Sequence, residues 1–397
     1  MSVVAAKVFV VFVGGGEINF GSPEGPWNHS KRVEKRFGEQ LHVCGIIDPD
    51  TERANSQVKA KQRSGVPGWA HATVWQTPEQ AGPELSRLTP EIDLVIVGAP
   101  PHFRGCLHAP ADLDVRLLES IRARHWLVEK PVSAARPSKA AGQSDVAELY
   151  KRTGAVVGAG YMMCALKAVD EMKRIIQAKN LTVMATAARS MDARALLVTV
   201  AQLTPTQTKP AWWNKHVSCG PIVEQATHLV SLSLLFGGEP ELDSVRAHTV
   251  EFDEFPGHLS KVGFDEHAIP DESRIPRYTS SVFKYKSGAV GSLTHFVGLH
   301  GTTYDTEFEV LCDGTTFKLV DMYTASPKLF IRESDVNAEV KLNLFEHDDP
   351  FQTQLDRLIA GTPTCSYDDA LRTYELTWAI REAGERQVAE RRRGTVP

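Results

Sequence analysis

Three short stretches carry residues whose types and spacing suit chemistry. In the first, the apolar run Val8–Val13 ends in Gly14-Gly15-Gly16, followed by Glu17, Ile18 and Asn19, and Asp48 closes a second apolar run. Glycines at such a turn let the backbone approach a pyrophosphate at a helix N-terminus, and an acid ending the second strand reaches ribose hydroxyls. Asn19 stands where a third glycine is usual; asparagine tolerates a left-handed backbone, so the turn stays feasible. An ordinary glycine-rich turn is the competing reading. Asp48 favours NAD over NADP, because a carboxylate opposes a 2′-phosphate, and Arg53 offsets that preference. In the second stretch, "GPIVEQATHLVSL", Glu224 and His228 are four residues apart and share one face of a helix expected over Ile222–Phe236. Histidine suits proton transfer near neutral pH. A structural His–Glu pair is the plainer alternative, and a metal pair lacks a third ligand at regular spacing, so no metal is expected. In the third, Trp212-Trp213 forms either a stacking wall for a sugar or aromatic substrate or plain packing.

The elements that must position these residues fall into two groups. From Lys7 to about residue 155, short apolar runs (Val8–Val13, Leu41–Ile47, Leu94–Val97, Trp126–Val128, then Val156–Gly160) alternate with helical stretches such as Thr51–Arg63 and Asp112–Arg124. That alternation predicts an α/β domain with a parallel, doubly wound Rossmann-type sheet, with ligands at the carboxyl ends of the strands. Residues 156–397 read as an α+β domain: a helix over Leu166–Gln177, then strand-like runs from Leu242 to Leu344 joined by turns such as Asp313-Gly314. These predict one large, mostly antiparallel sheet. Closing helices start near Pro350 and at Tyr367, the latter with Ser366 as N-cap and Asp369 three residues on. They are expected to pack back on the first domain, 1–155.

Composition narrows the class. A chain of 397 residues with 42% hydrophobic and 23% charged residues holds enough apolar material for two cores. The net charge of −5 gives no reason to expect nucleic acid or an anionic membrane as partner. The basic cluster Arg391-Arg392-Arg393 reads as a solvated helix end. Six scattered cysteines without a CxxC spacing fit reduced thiols in a cytosolic protein. No run reaches the roughly 18 apolar residues of a membrane span, and the first apolar run lacks a cleavage signal. The expected location is cytoplasmic.

The turn "GAPPHF" after Leu94–Val97, the run "LLESIRARHWLVEKP" and the distal "GPIVEQATHLVSL" resemble the Gfo/Idh/MocA oxidoreductase family, over essentially the whole chain. The resemblance implies that Lys130 of the Glu129-Lys130-Pro131 motif lies beside the nicotinamide and polarises the substrate oxygen, with Pro131 cis. It implies that Pro100 and His102 border the cofactor, although His102 reads equally as a structural histidine. It makes His228 the proton donor or acceptor, with Glu224 in place of the family's aspartate. Tyr161 leads a segment where the family contacts substrate, and Cys164 replaces a polar or cationic residue there. Glu17 must point away from a pyrophosphate, and the segment Phe20–Asn28 reads as an inserted flap over the cofactor or pocket mouth. The implied activity is NAD(P)-dependent hydride transfer to or from a secondary alcohol or carbonyl of a sugar-like, cyclic diol or secondary-metabolite substrate. A transiently oxidising hydrolase, an imine reductase and a non-catalytic dinucleotide-binding regulator stand as alternatives. A homodimer or homotetramer is expected, paired through the open face of the second sheet.

Overall fold

The computed structural model describes residues 6–22, 25–138, 141–191, 213–260, 265–298, 305–333 and 339–394. The chain divides into two compact units, Met1–Ala165 with Pro350–Leu371, and Leu166–Asp349 with Arg372–Pro397.

In the first unit, β1 (Val8–Val13) leads into α1 (Glu17–Phe20) and α2 (His29–Phe37), β2 (Leu41–Ile47) into α3 (Thr51–Arg63), and β3 (Thr73–Trp75) into α4 (Pro78–Leu88). Then come β4 (Ile92–Val97), α5 (Leu113–Ser120), β5 (Ala123–Val128), α6 (Gln143–Arg152) and β6 (Val156–Ala159). The strands lie in the order β3-β2-β1-β4-β5-β6, all parallel. Val10–Val13 and Leu94–Val97 are buried on both faces, as central strands of a helix-covered sheet must be. The β1–β2 ladder skips Cys44, pairing Val10 with Val43 and Val11 with Gly45. Gly45 admits β3 closely, since a Cβ there would stand 2.0 Å from the Thr73 carbonyl oxygen.

Several elements differ from the sequence reading. β3 has three residues, too few to stand out as an apolar run. The helical stretch over Asp112–Arg124 stops at Ser120, because Ala123 already pairs with Ile92 in the sheet. β6 pairs with β5, so a boundary at 155/156 would cut a strand from its own sheet; the unit continues to Ala165. The helix after the glycine turn is a single turn, and Phe20 at its end packs on Phe12 and Trp69, with ring centroids 5.5 and 5.8 Å apart. Asn28 Nδ2 donates to the Phe20 carbonyl at 3.0 Å, while its Oδ1 accepts from Lys31 N at 3.0 Å and caps α2.

The second unit opens with α7 (Lys167–Ala178) and β7 (Val183–Met191), then α8 (Gly220–Glu224), α9 (Thr227–Gly237) and β8 (Pro240–Val250). β9 (Tyr278–Tyr285), β10 (Val290–Phe296), β11 (Asp305–Cys312), β12 (Thr315–Val320), β13 (Lys328–Glu333) and β14 (Lys341–Leu344) follow. The eight strands lie in the order β14-β13-β12-β11-β7-β10-β9-β8, antiparallel except for β7 with β10. Alternate residues such as Phe308, Val310, Phe317 and Leu319 are buried on one face. The largely apolar α9 packs on β7 and β10. Tyr285 ties these layers: its hydroxyl lies 2.7 Å from Thr186 Oγ1 and donates to the Ser233 carbonyl at 3.0 Å. The other face carries ion pairs, Arg189 with Asp305 and Glu307, and Lys318 with Glu307.

The chain then forms α10 (Pro350–Ile359) and α11 (Tyr367–Gly394). Leu355 and Leu358 of α10 join the core of the first unit with Val10, Phe12, Leu94 and Leu127. Ser366 N and Oγ donate to Asp369 Oδ2 at 2.9 and 2.6 Å, and Asp369 N donates back to Ser366 Oγ at 3.2 Å, a reciprocal cap that starts α11. Arg391 and Arg392 pair with Glu254 and Asp253, so both are engaged within the chain. Among the described residues no helix is long and apolar enough to cross a membrane.

Candidate active site

The carboxyl ends of β1, β2, β3 and β4 open on one cavity of about 630 Å³. Its size falls within the range of small-molecule and cofactor sites. Val13, Gly14 and Gly16 enter its wall from β1, Ile47 and Asp48 from β2, Gln76 and Thr77 from β3, and Gly98, Ala99 and Pro100 from β4. This is the crevice where strand order reverses and where open α/β sheets hold ligands.

Each residue of the glycine turn has a separate reason to be there. Gly14 has φ +91°, and a Cβ on it would meet the Ala99 nitrogen at 3.1 Å. At Gly16 a Cβ would meet nothing within 4 Å, so the glycine leaves open space at the wall. Asn19 is fully buried and belongs to α1. Its Nδ2 donates to the carbonyls of Val13 and Gly14, at 3.1 and 2.7 Å. It therefore replaces the third glycine by pinning the turn with its side chain, not by adopting a left-handed backbone. Gly98 accommodates that amide, since a Cβ there would lie 2.6 Å from Asn19 Nδ2.

Asp48 is 1% exposed and its carboxylate is well supplied with donors. Oδ2 accepts from Gly15 N at 2.5 Å, Oδ1 from Asp50 N at 2.8 Å, and Arg53 Nη2 reaches both, at 3.0 and 2.9 Å. Arg53 is half exposed and also lines the cavity. Farther along the wall, Arg116 makes a paired contact with Glu79 at 2.7 and 2.8 Å, which holds that carboxyl down at about 2. His102 lies on the wall with its pKa lowered, first by partial burial and then by the Arg104 charge.

Of the expected cofactor residues, Gly14, Gly16, Glu17, Ile18, Asp48, Pro100 and His102 share this wall, and Asn19 lies beneath it. Among the described residues of Phe20–Asn28 none lines this cavity: Phe20 packs on Phe12 and Trp69, and Asn28 caps α2. Glu129, Lys130 and Pro131 form the next turn of the same unit, after β5, and the Lys130–Pro131 peptide is cis. Glu129 is buried: Oε1 lies 2.7 Å from Nε2 of the buried His29, and Oε2 accepts from Lys130 N at 3.1 Å. Gly160 gives the carboxylate room, because a Cβ there would stand 2.6 Å from it. Tyr161 and Cys164, in the segment after β6, are buried.

Glu224 and His228 belong to the second unit. The single helix expected over Ile222–Phe236 is two helices, α8 ending at Glu224 and α9 starting at Thr227. The amides of Gln225 and Ala226 both donate to the Pro221 carbonyl, and the Ala226 carbonyl then accepts from Leu229 and Val230. The shared face of one continuous helix is therefore not what relates the pair. His228 is buried, with its ring edge-on to Tyr323 at a centroid distance of 6.3 Å. Trp213 is 7% exposed in a small cluster with Ile269, Ile275 and Val297, and the Arg277 guanidinium covers its ring at 5.2 Å. Its ring is thus committed to packing, and Trp212 lies outside the described residues. Among the described residues no cluster of metal ligands occurs.

Sequence reasoning missed His29, Arg104, Thr77 and Arg116. Thr77 follows the short β3, and the others are defined by partners far away in sequence.

A doubly wound sheet with a glycine turn at its switch point, followed by an α+β unit, is the architecture of a two-domain dinucleotide-dependent enzyme. A model of an oxidoreductase family with an NAD-binding Rossmann fold matches residues 8–161, and one for an oxidoreductase C-terminal domain matches 164–315. The uncharacterized protein C12C2.04 of Schizosaccharomyces pombe is 34% identical over 381 residues, 94% of this chain and 95% of that protein. Levoglucosan dehydrogenase, solved with NADH and L-sorbose, aligns at a TM-score of 0.68 and 14% identity over 96% of this chain and 97% of its own. KijD10, a 3-ketoreductase from Actinomadura kijaniata solved with NADP and TDP-benzene, aligns at 0.64 and 15% identity over 95% and 98%. The chain belongs to the Gfo/Idh/MocA family of NAD(P)-dependent oxidoreductases.

Proposed function

We propose that this enzyme moves hydride to or from a secondary alcohol or carbonyl carbon of a sugar-like small molecule. The observation that carries the reading is the cavity at the strand ends, walled by the glycine turn and Asp48. Its residues fit a dinucleotide: Gly16 leaves open space at the wall and Asp48 stands at the end of β2. The sugar-like substrate class is favoured by two structural neighbours, a levoglucosan dehydrogenase and a 3-ketoreductase.

The nicotinamide ring, when bound, supplies or accepts the hydride. Lys130 holds the substrate oxygen, its ammonium stabilising the negative charge that develops there. His228 gives or takes the proton of that oxygen. Glu224 is the carboxylate that orients His228. Nicotinamide absorbance tests the reading in both directions: NAD⁺ or NADP⁺ with free sugars, anhydrosugars, nucleotide sugars and cyclic diols, and NADH or NADPH with the corresponding ketones and with imines. Turnover of a sugar-like alcohol or ketone is expected. Cofactor binding with turnover of imines alone would overturn it.

Arg53 sets how the adenosine end is read. Arg53 rests on Asp48, but the backbone amides of Gly15 and Asp50 also bond that carboxylate, so it keeps partners when Arg53 turns to a 2′-phosphate. Arg53→Ala is expected to weaken NADPH roughly ten-fold or more, the worth of one charge-assisted hydrogen bond, and to change NADH by less than about three-fold. Equal losses for both cofactors in a fluorescence titration would assign Arg53 a purely structural role.

A further inference from the structure

Arg104 is fully buried, and its guanidinium hydrogen-bonds to main-chain carbonyls of two turns. Nε donates to Ala99 O at 2.9 Å, Nη1 to Val132 O at 3.2 Å, and Nη2 to Glu129 O. Ala99 belongs to the turn after β4 that carries Pro100 and His102 into the cavity wall. Glu129 and Val132 bracket the Lys130–Pro131 peptide. The next residue continues the clamp: Gly105 has φ +83°, and a Cβ on it would lie 2.3 Å from Val132 O, so only glycine lets the two strands of loop approach so closely. Gly105 N donates to Asp114 Oδ2 at 2.6 Å, and Tyr150 donates to Asp114 Oδ1 at 2.6 Å. That buried carboxyl has its pKa raised by desolvation, with the Arg104 charge pulling it back.

We infer that Arg104 is a positioning residue for Lys130: it locks the turn that carries the lysine to the turn that walls the dinucleotide cavity. The inference rests on the role proposed above for Lys130. Burying a guanidinium is costly unless each donor direction is used, and a planar fork reaches three carbonyls in fixed directions. A lysine at 104 keeps the charge but presents a single nitrogen, so it cannot hold Ala99, Glu129 and Val132 together.

Arg104→Lys, Arg104→Ala, Lys130→Met and the Arg104→Lys/Lys130→Met double variant test this. Folding is verified by circular dichroism and thermal melting, and ADP-ribose affinity by calorimetry. Arg104→Lys is expected to keep ADP-ribose affinity within about three-fold while kcat falls on the order of 10²-fold, the loss associated with misplacing a reacting group. Added guanidinium, which can refill the vacated site and donate to the same carbonyls, is expected to restore part of the turnover of Arg104→Ala. The double variant is expected to be no slower than Lys130→Met, since the two residues act as one unit. Unchanged kcat in Arg104→Lys, or additive losses in the double variant, would overturn the positioning role while leaving Lys130 in place. Joint loss of ADP-ribose affinity and turnover without guanidinium rescue would overturn it too, as collapse of the unit. Full turnover in Lys130→Met would remove the role of Lys130 itself, and this inference with it.

Discussion

Lys130→Met is expected to lower kcat by roughly 10²- to 10³-fold, the usual cost of removing one donor aimed at developing negative charge. NADH affinity is expected to stay within about three-fold, because the wall of the dinucleotide cavity is built by other residues. Methionine nearly matches the lysine stem in length and carries no charge, so packing of the stem is preserved while the ammonium is lost. Groups besides the lysine side chain hold the surrounding turn. Glu129 is fixed through His29 and Lys130 N, and the carbonyls of Glu129 and Val132 are held by Arg104. A thermal melt close to that of the parent is therefore expected, which separates loss of chemistry from loss of structure. Turnover equal to the parent's, with normal melting and cofactor binding, would remove Lys130 from the reaction.

The support of this turn also shows which parts of the molecule are legible in a sequence. Gly14-Gly15-Gly16 and Asp48 each stand at a strand end, so local pattern marks them, while Glu129-Lys130-Pro131 is marked by the resemblance to the family. β3 was hidden by its length, and β7 by its composition. The buried face of β7 presents Thr186, Ala188 and Ser190, which are small or polar, because α9 and Tyr285 press against that strand. An apolar alternation never forms there. The break between α8 and α9 was hidden for the opposite reason. Gln225 and Ala226 carry no breaker signal, and the interruption lies in how their amides share the Pro221 carbonyl.

Asn19 and Arg104 mark a different limit. The substitution at the third glycine position was visible, but the amide's grip on Val13 and Gly14 emerges only once α1 shrinks to one turn. Arg104 takes acceptors 25 and 28 residues away, and no local pattern encodes such partners. Phe20 illustrates the same point in the loop Phe20–Asn28. Gly/Pro content identified an excursion, while the contact of Phe20 with Phe12 and Trp69 decides that its start is core.

His228→Ala is expected to lower kcat on the order of 10²- to 10⁴-fold, the range for loss of a positioned general acid or base. The residue lies near the start of α9, buried and edge-on to Tyr323, so truncation also removes packing and some loss of melting temperature is expected. Two further measurements separate the proton-transfer role from the packing role. Added imidazole is expected to restore turnover in His228→Ala, because a diffusible ring can exchange the proton. His228→Phe refills the volume and returns the ring contact, so it is expected to recover thermal stability without recovering turnover. A Phe variant as active as the parent would show that the ring serves packing alone. Imidazole rescue with intact cofactor binding would instead place the proton-exchanging group at residue 228. Glu224→Gln then gauges the partner carboxylate. Because α8 and α9 are separate helices, its effect is expected to be smaller, on the order of ten-fold, than one continuous helical face would give.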